Sequence, residues 1–238
     1  MNINSFKLSK HTQLYSNLCL SIGFAILLLL FRIQLTQSPF YLFLVWNLFL
    51  AGIPFAISQL LHRSKSLRSL KVVAFLGFLT WLLFLPNSPY IITELVHLNI
   101  NHSALMWLDL FLVFVFAFNG LLLGLLSMLD MFSMLIDRFG HRVAKYALFK
   151  ICLLSGYGIY LGRFLRFNSW DITTKPGTLF LQIIKSLKEP QVWCITFAFG
   201  GFLWILFSVL QSVLMLGEDR TTSKVVKAKG WNLKNQNQ

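Results

Sequence analysis

Residues 104–127 read ALMWLDLFLVFVFAFNGLLLGLLS, an apolar run in which Asp109 and Asn119 are the strongly polar interruptions. An α-helix rises 1.5 Å per residue, so about 20 residues cross a hydrocarbon core about 30 Å thick. This run is long enough to cross, and it decides the class. The chain belongs in a lipid bilayer, and the rest can be measured with the same ruler.

Working outward, residues 192–216 form a last span of the same kind, and residues 146–162 form a shorter one that suffices if Lys145 reaches out of the hydrocarbon. Upstream, residues 40–61 qualify with Pro54 as an expected kink, and residues 15–35 qualify with Arg32 near enough to the end to snorkel. The third run is harder. Residues 72–85 alone give about 21 Å of helix, which is too short. Either the helix begins near Leu67 with Arg68 and Lys71 snorkelling, or it passes Pro86 and Pro89 as a broken helix. The expected architecture is an all-α bundle of six spans at 15–35, 40–61, 67–92, 104–127, 146–162 and 192–216, with polar tails at 1–14 and 217–238.

Composition agrees. Hydrophobic residues make up 56% of the chain and charged residues 12%, with mean hydropathy +0.68. A water-facing domain carries about 25% charged residues, so a soluble fold is excluded. The 24 phenylalanines and 7 tryptophans suit lipid contact and interfacial anchoring. Net charge is +13, yet six spans place fifteen of the 21 basic residues on one side. That asymmetry makes both termini cytoplasmic and favours anionic lipid, not nucleic acid, as the partner of the charge. Arg163, Arg166, Lys175, Lys185 and Lys188 are the exception, gathered in one outer segment.

Several class-defining signals are absent. Lys7 and Lys10 ahead of residues 18–31 resemble the front of a secretory signal, but the run continues to about Leu35 without a small-x-small cleavage pattern, so an uncleaved first span is expected. Cys19, Cys152 and Cys194 lie in apolar runs without CxxC or Cys/His spacing, and read as small buried hydrophobes, not zinc ligands or a disulfide framework. No internal repeat of the transporter kind is visible. Connectors are too short for a separate soluble domain, so any chemistry is built within the bundle or at its surface. Residues 178–189 could add an interfacial amphipathic helix.

Two polar segments stand above this background. In the first, Pro86-Asn87-Ser88-Pro89-Tyr90 ends the third span and frees backbone carbonyls that need other donors. If a helix resumes after it, Thr93, Glu94 and His97 share a face, and a carboxylate beside an imidazole can move protons or begin a metal site. The plainer reading is an interfacial loop with one solvated ion pair. In the second segment, Gly162 to Asp171, Arg163 and Arg166 lie i, i+3 on one basic face suited to phosphate or carboxylate. Asn168 and Ser169 look like a helix stop, and Trp170 would sit at headgroup depth. Equally, the arginines could pair with Glu94, Asp109 or Asp171.

Asp109 lies about 8 Å below the outer surface, a costly place for a carboxylate without a partner, and Arg163 or Arg166 could reach it. Asn119, deeper, is expected to make a helix-to-helix hydrogen bond. Gly120-x-x-x-Gly124 and Gly158-x-x-x-Gly162 permit close helix approach, at opposite depths and so to different partners.

Taken together, Pro86-Asn87-Ser88-Pro89-Tyr90 with Thr93-Glu94-Val96-His97-Leu98, and the later Gly162-Arg163-Phe164-Leu165-Arg166-Phe167-Asn168-Ser169-Trp170-Asp171, resemble the bacterial membrane proteins grouped as domain of unknown function 1361. Glu94 stands where an aspartate is common in that family. The likeness covers residues 40–216 and implies a multi-pass protein of a bacterial cytoplasmic membrane with no assigned activity.

Three functions are open to such a chain. One is an outward-facing polar site for an anionic or lipid headgroup ligand, with Arg163, Arg166, Asn168, Trp170 and Asp171 binding and Glu94, His97 and Asp109 as candidate catalytic groups. Another is a transporter or permease component, and the third a structural subunit of a membrane complex. No metal site is assigned, and the spacings name no cofactor.

Overall fold

The computed structural model describes the backbone of residues 3–97 and 105–236 and the side chains of residues 12–64, 66–96 and 105–216. Regular structure among the described residues is helical throughout. Helix α1 covers Ile3–Thr36, and a 3-10 turn at Phe40–Leu42 leads into α2, Phe43–Arg63. Short α3, Lys65–Ser69, precedes α4, Lys71–Phe84, which is followed by α5, Asn87–Tyr90, and a second 3-10 turn, Ile91–His97. Then come α6, Met106–Phe139, α7, His141–Arg163, short α8, Asp171–Thr174, α9, Pro176–Ser186, and α10, Pro190–Gln236.

Among the described residues, five stretches are long and apolar enough to cross a membrane: Thr12–Thr36, Phe40–Arg63, Lys71–Val96, Met106–Phe139 and Pro190–Leu216. The protein is an all-α integral membrane protein. Helix α7 falls outside this set because His141, Arg142, Lys145 and Lys150 dilute its first half. Its buried positions Ala144, Leu148, Ile151, Ser155 and Ile159 recur every three or four residues, so one face still seats it in the bundle. Helix α2 runs on through Pro54, which is buried within it. Cys152 is buried as expected, but Cys19 and Cys194 are exposed on outward faces of their helices.

Helix α6 is the central element, packed against α1, α2, α5, α7, α10 and the second 3-10 turn. Around its Asp109 end Ala25, Leu29, Leu44, Ala51, Ile91 and Phe116 form one apolar cluster. Around its Asp137 end Trp81, Leu85, Met128, Leu148 and Phe207 form another. Large apolar side chains such as Phe24, Phe49, Phe75, Phe114, Phe118 and Ile205 face outward. That is what lipid requires.

Because lipid is as apolar as a leucine side chain, burial alone does not hold such helices together; close packing and polar contacts do. Helices α7 and α10 cross backbone to backbone. A Cβ on Gly156 would stand 2.5 Å from the Thr196 carbonyl oxygen, and one on Gly200 2.8 Å from the Leu153 Cα. Fully buried Trp81 is tied to α6 by its indole N–H, which donates to the Ser127 hydroxyl at 3.2 Å.

Candidate functional site

The site is built on the helix break after α4. Prolines have no N–H, so Pro86 and Pro89 each leave a carbonyl of the preceding turn without its usual donor. The chain continues through Ser88 N–H to the Leu85 carbonyl and Tyr90 N–H to the Pro86 carbonyl, both at 3.1 Å. Two nearby carbonyls are met by side chains instead. Asn87 Nδ2 donates to the Phe84 oxygen at 2.9 Å, and Ser169 Oγ donates to the Leu83 oxygen at 3.2 Å. Asn87 Nδ2 also donates to Ser169 Oγ at 3.0 Å. The second polar segment thus folds back to satisfy the break made by the first.

Both glycine pairs close on this same broken stretch. A Cβ on Gly120 would meet Ile91 Cδ1 at 2.7 Å, and one on Gly124 would meet Ser88 Cβ at 2.6 Å. From the other side, a Cβ on Gly158 would lie 2.5 Å from Pro86 Cγ, and one on Gly162 3.2 Å from Tyr90 Cε2. The expectation of different partners fails, because the broken segment lies between α6 and α7 and takes a small-residue groove from each. Ser88 completes the wedge by donating to the Ala51 carbonyl of α2 at 3.3 Å.

Beside the wedge is a cavity of about 190 Å³. Its walls include Trp46 and Asn47 from α2, Leu83, Pro86, Asn87 and Tyr90 from the break, Gly158 and Gly162 from α7, and Phe167, Asn168 and Ser169 from the following loop. Amide and hydroxyl groups therefore dominate its polar lining. Trp46 meets Trp170 edge-on, with ring centroids 6.5 Å apart.

The expected charged residues separate into two groups. Asp109, buried, pairs with Arg32 of α1: Nε to Oδ1 is 2.8 Å and Nη2 to Oδ2 is 3.2 Å. The Arg32 guanidinium also lies 4.8 Å from the Tyr41 ring centroid. Asp109 is therefore bound by α1, not by Arg163 or Arg166 as expected. Glu94 is the residue that pairs with Arg163, at 3.5 Å, and its other oxygen accepts from Asn47 Nδ2 at 3.4 Å.

The turn that presents Glu94 is 3-10, not α. With three residues per turn, Ile91 and Glu94 eclipse, and both are buried. Thr93 donates to the Tyr90 carbonyl of its own turn at 2.7 Å. His97 ends the turn, and its side chain lies outside the described residues.

Arg166 does not extend the basic face of Arg163, because α7 stops at Arg163. Instead Arg166 takes a left-handed backbone, φ 55°, and is exposed. The loop beyond it is set by Asp171, whose Oδ2 accepts the Asn168 N–H at 2.7 Å and whose Oδ1 accepts the Thr174 hydroxyl at 3.1 Å. The Asn168 N–H holds the Asp171 carboxyl below its ordinary range despite the opposing effect of burial. Asp171 shapes the loop; Asn168 and Ser169 face the cavity. Asn119, expected to bridge helices, spends its amide on the Val115 carbonyl of its own helix at 2.9 Å, the local bond such a side chain can always reach.

Asn47, Asn87 and Tyr90 were not singled out as candidates, although a polar residue in an apolar span is signal enough to ask what it meets. Asp130 was missed too, because a span ending at residue 127 leaves it outside. Helix α6 runs on to Phe139, and Asp130 accepts from Ser58 at 2.9 Å and from Gln59 at 2.6 Å.

Neither a curated protein nor a solved structure matches this chain. The family described as a protein of unknown function, DUF1361, matches residues 46–206, a stretch that holds the break, both glycine pairs and the loop that closes the cavity. Over that length the match is decisive, and the chain is a member of the DUF1361 family.

Proposed function

We propose that this is a multi-pass protein of a bacterial cytoplasmic membrane whose cavity seats the polar headgroup of an anionic lipid. In this reading α7 is a sixth span, both termini are cytoplasmic and the Asp109 end faces outward. Helix α7 has 23 residues, about 35 Å of helix and enough for the hydrocarbon core. The basic connectors then fall on the cytoplasmic side, as lysine and arginine do in membrane proteins.

The observation that carries the proposal is the convergence of two segments, 82 residues apart at Asn87 and Ser169, on one cavity. Its volume of about 190 Å³ is below the roughly 300–1,000 Å³ of pockets that enclose whole small molecules. A headgroup fits, with the rest of the lipid left in the bilayer. Asn47, Asn168 and Tyr90 bring neutral polar groups to the cavity, the Asn87 and Ser169 donors being spent on each other and on the Phe84 and Leu83 carbonyls, and exposed Arg166 on the same loop supplies positive charge. Trp46 and Trp170 belong at headgroup depth. Glu94 is engaged by Arg163 and Asn47, which favours binding over acid–base chemistry.

The test places a photoreactive residue at Ile172, an exposed residue on the cavity wall, and illuminates native membranes. The expected adduct is a lipid with an anionic phosphate headgroup, falling roughly fivefold when Arg166→Gln removes one interfacial charge. No lipid adduct, or a zwitterionic one indifferent to Arg166, overturns the proposal. An adduct to another protein would favour a structural subunit instead.

A further inference from the structure

At the opposite end of the bundle, a groove of about 650 Å³ runs between α4 and α6. Its walls are apolar, with Ala74, Phe75, Phe78, Met131, Met134 and Leu135. Three cations, Arg68, Lys71 and Arg138, stand on it against one carboxylate, Asp137, which Arg68 contacts at 3.4 Å. Lys71 and Arg138 are exposed. The groove also receives the first turn of α4, whose N-cap, Leu70, provides no side-chain hydrogen bond. The first N–H groups of a helix have no partner within it, and the helix dipole makes that end attractive to anions. Cations, an uncapped helix start and an apolar trough thus occupy one place.

Phe75 and Phe139 on its walls are 60% and 55% exposed, so the groove is open-sided to the surrounding lipid. A soluble anion would match the charge but leave the apolar trough unfilled. A zwitterionic lipid would fill the trough but bring its own cation to the basic rim. Only an amphiphile with a net negative headgroup meets both halves. We infer that this groove is a binding site for an anionic phospholipid of the adjacent leaflet, its phosphate between Lys71 and Arg138 at the start of α4 and one acyl chain along Phe75, Phe78 and Met134. This site is separate from the cavity beside Asn87, and the inference does not depend on that cavity's role.

To keep the two apart, the experiment uses full-length protein carrying Arg166→Gln. The purified protein is offered equal amounts of dioleoylphosphatidylglycerol and dioleoylphosphatidylcholine in detergent, and retained lipid is counted by native mass spectrometry. Phosphatidylglycerol is expected to be retained preferentially. Lys71→Gln and Arg138→Gln are each expected to cut that preference roughly fivefold, and Arg68→Gln less, because Asp137 already opposes its charge. Ala74→Trp keeps every charge and fills the trough, and is expected to reduce retention of phosphatidylglycerol. Equal retention of the two lipids by the unaltered groove overturns the inference without reference to any groove variant. So does an undiminished preference after loss of Lys71 and Arg138 together, or undiminished retention in Ala74→Trp.

Discussion

Asn87 Nδ2 stands 3.0 Å from Ser169 Oγ and ties a broken membrane helix to a loop 82 residues later. The same Ser169 hydroxyl donates to the Leu83 carbonyl, so one hydrogen-bonded chain serves both the break and the wall of the cavity. Removing either partner leaves part of that chain unsatisfied in surroundings poor in water. Asn87→Ala and Ser169→Ala are each expected to destabilise the protein by about 1–3 kcal/mol. Together they should cost less than the sum, because the second change removes a bond already lost. Unfolding midpoints in mixed micelles for both single variants and the double variant measure this; strict additivity would show that the contact carries no energy.

The glycines on α6 and α7 make a sharper distinction. At Gly158 the added methyl of Gly158→Ala would meet the rigid Pro86 ring, and at Gly124 it would meet Ser88 Cβ. Neither neighbour is the far end of a flexible chain. Each substitution is expected to cost about 1–3 kcal/mol by overpacking. Gly52→Ala, with nothing within 4 Å of the added Cβ, should be neutral or stabilising by up to about 1 kcal/mol. Thermal melting of the three variants in one detergent decides the matter, and equal effects at all three positions would refute the wedge.

Arg32 and Asp109 join α1 to α6 with side chains only 12% and 11% exposed. Such a pair is costly to break because it strands the partner's charge. Asp109→Leu alone is expected to lose about 3–5 kcal/mol. Replacing both with Arg32→Met and Asp109→Leu should recover most of that loss, since no charge is left unpaired. Limited proteolysis after residue 36, read beside the unfolding midpoint, would show whether α1 separates first. A double variant no more stable than Asp109→Leu would mean that the two residues act independently.

The family resemblance was carried by residues that are adjacent in sequence, and it held. What those residues do was less accessible. Asn87 and Ser169 looked like punctuation, a residue between prolines and a turn former, until the fold brought one against the other. Arg163 and Glu94 were both visible as charges, but Asp109 competed for the same arginine on grounds of depth alone. Arg32 lies near enough to the end of its span to snorkel outward, yet it turns inward to Asp109. The helical reading of residues 90–98 expects 3.6 residues per turn, whereas the segment takes three and aligns Glu94 with Ile91.

Membrane immersion and the all-α class could be read from the chain alone, because transfer into hydrocarbon depends on composition summed over consecutive residues. The charge partners, the glycine grooves that hold the segment after Pro86, and the cavity depended on tertiary structure. Those features join residues from different helices, and an apolar pattern that satisfies lipid on every face does not say which face turns inward.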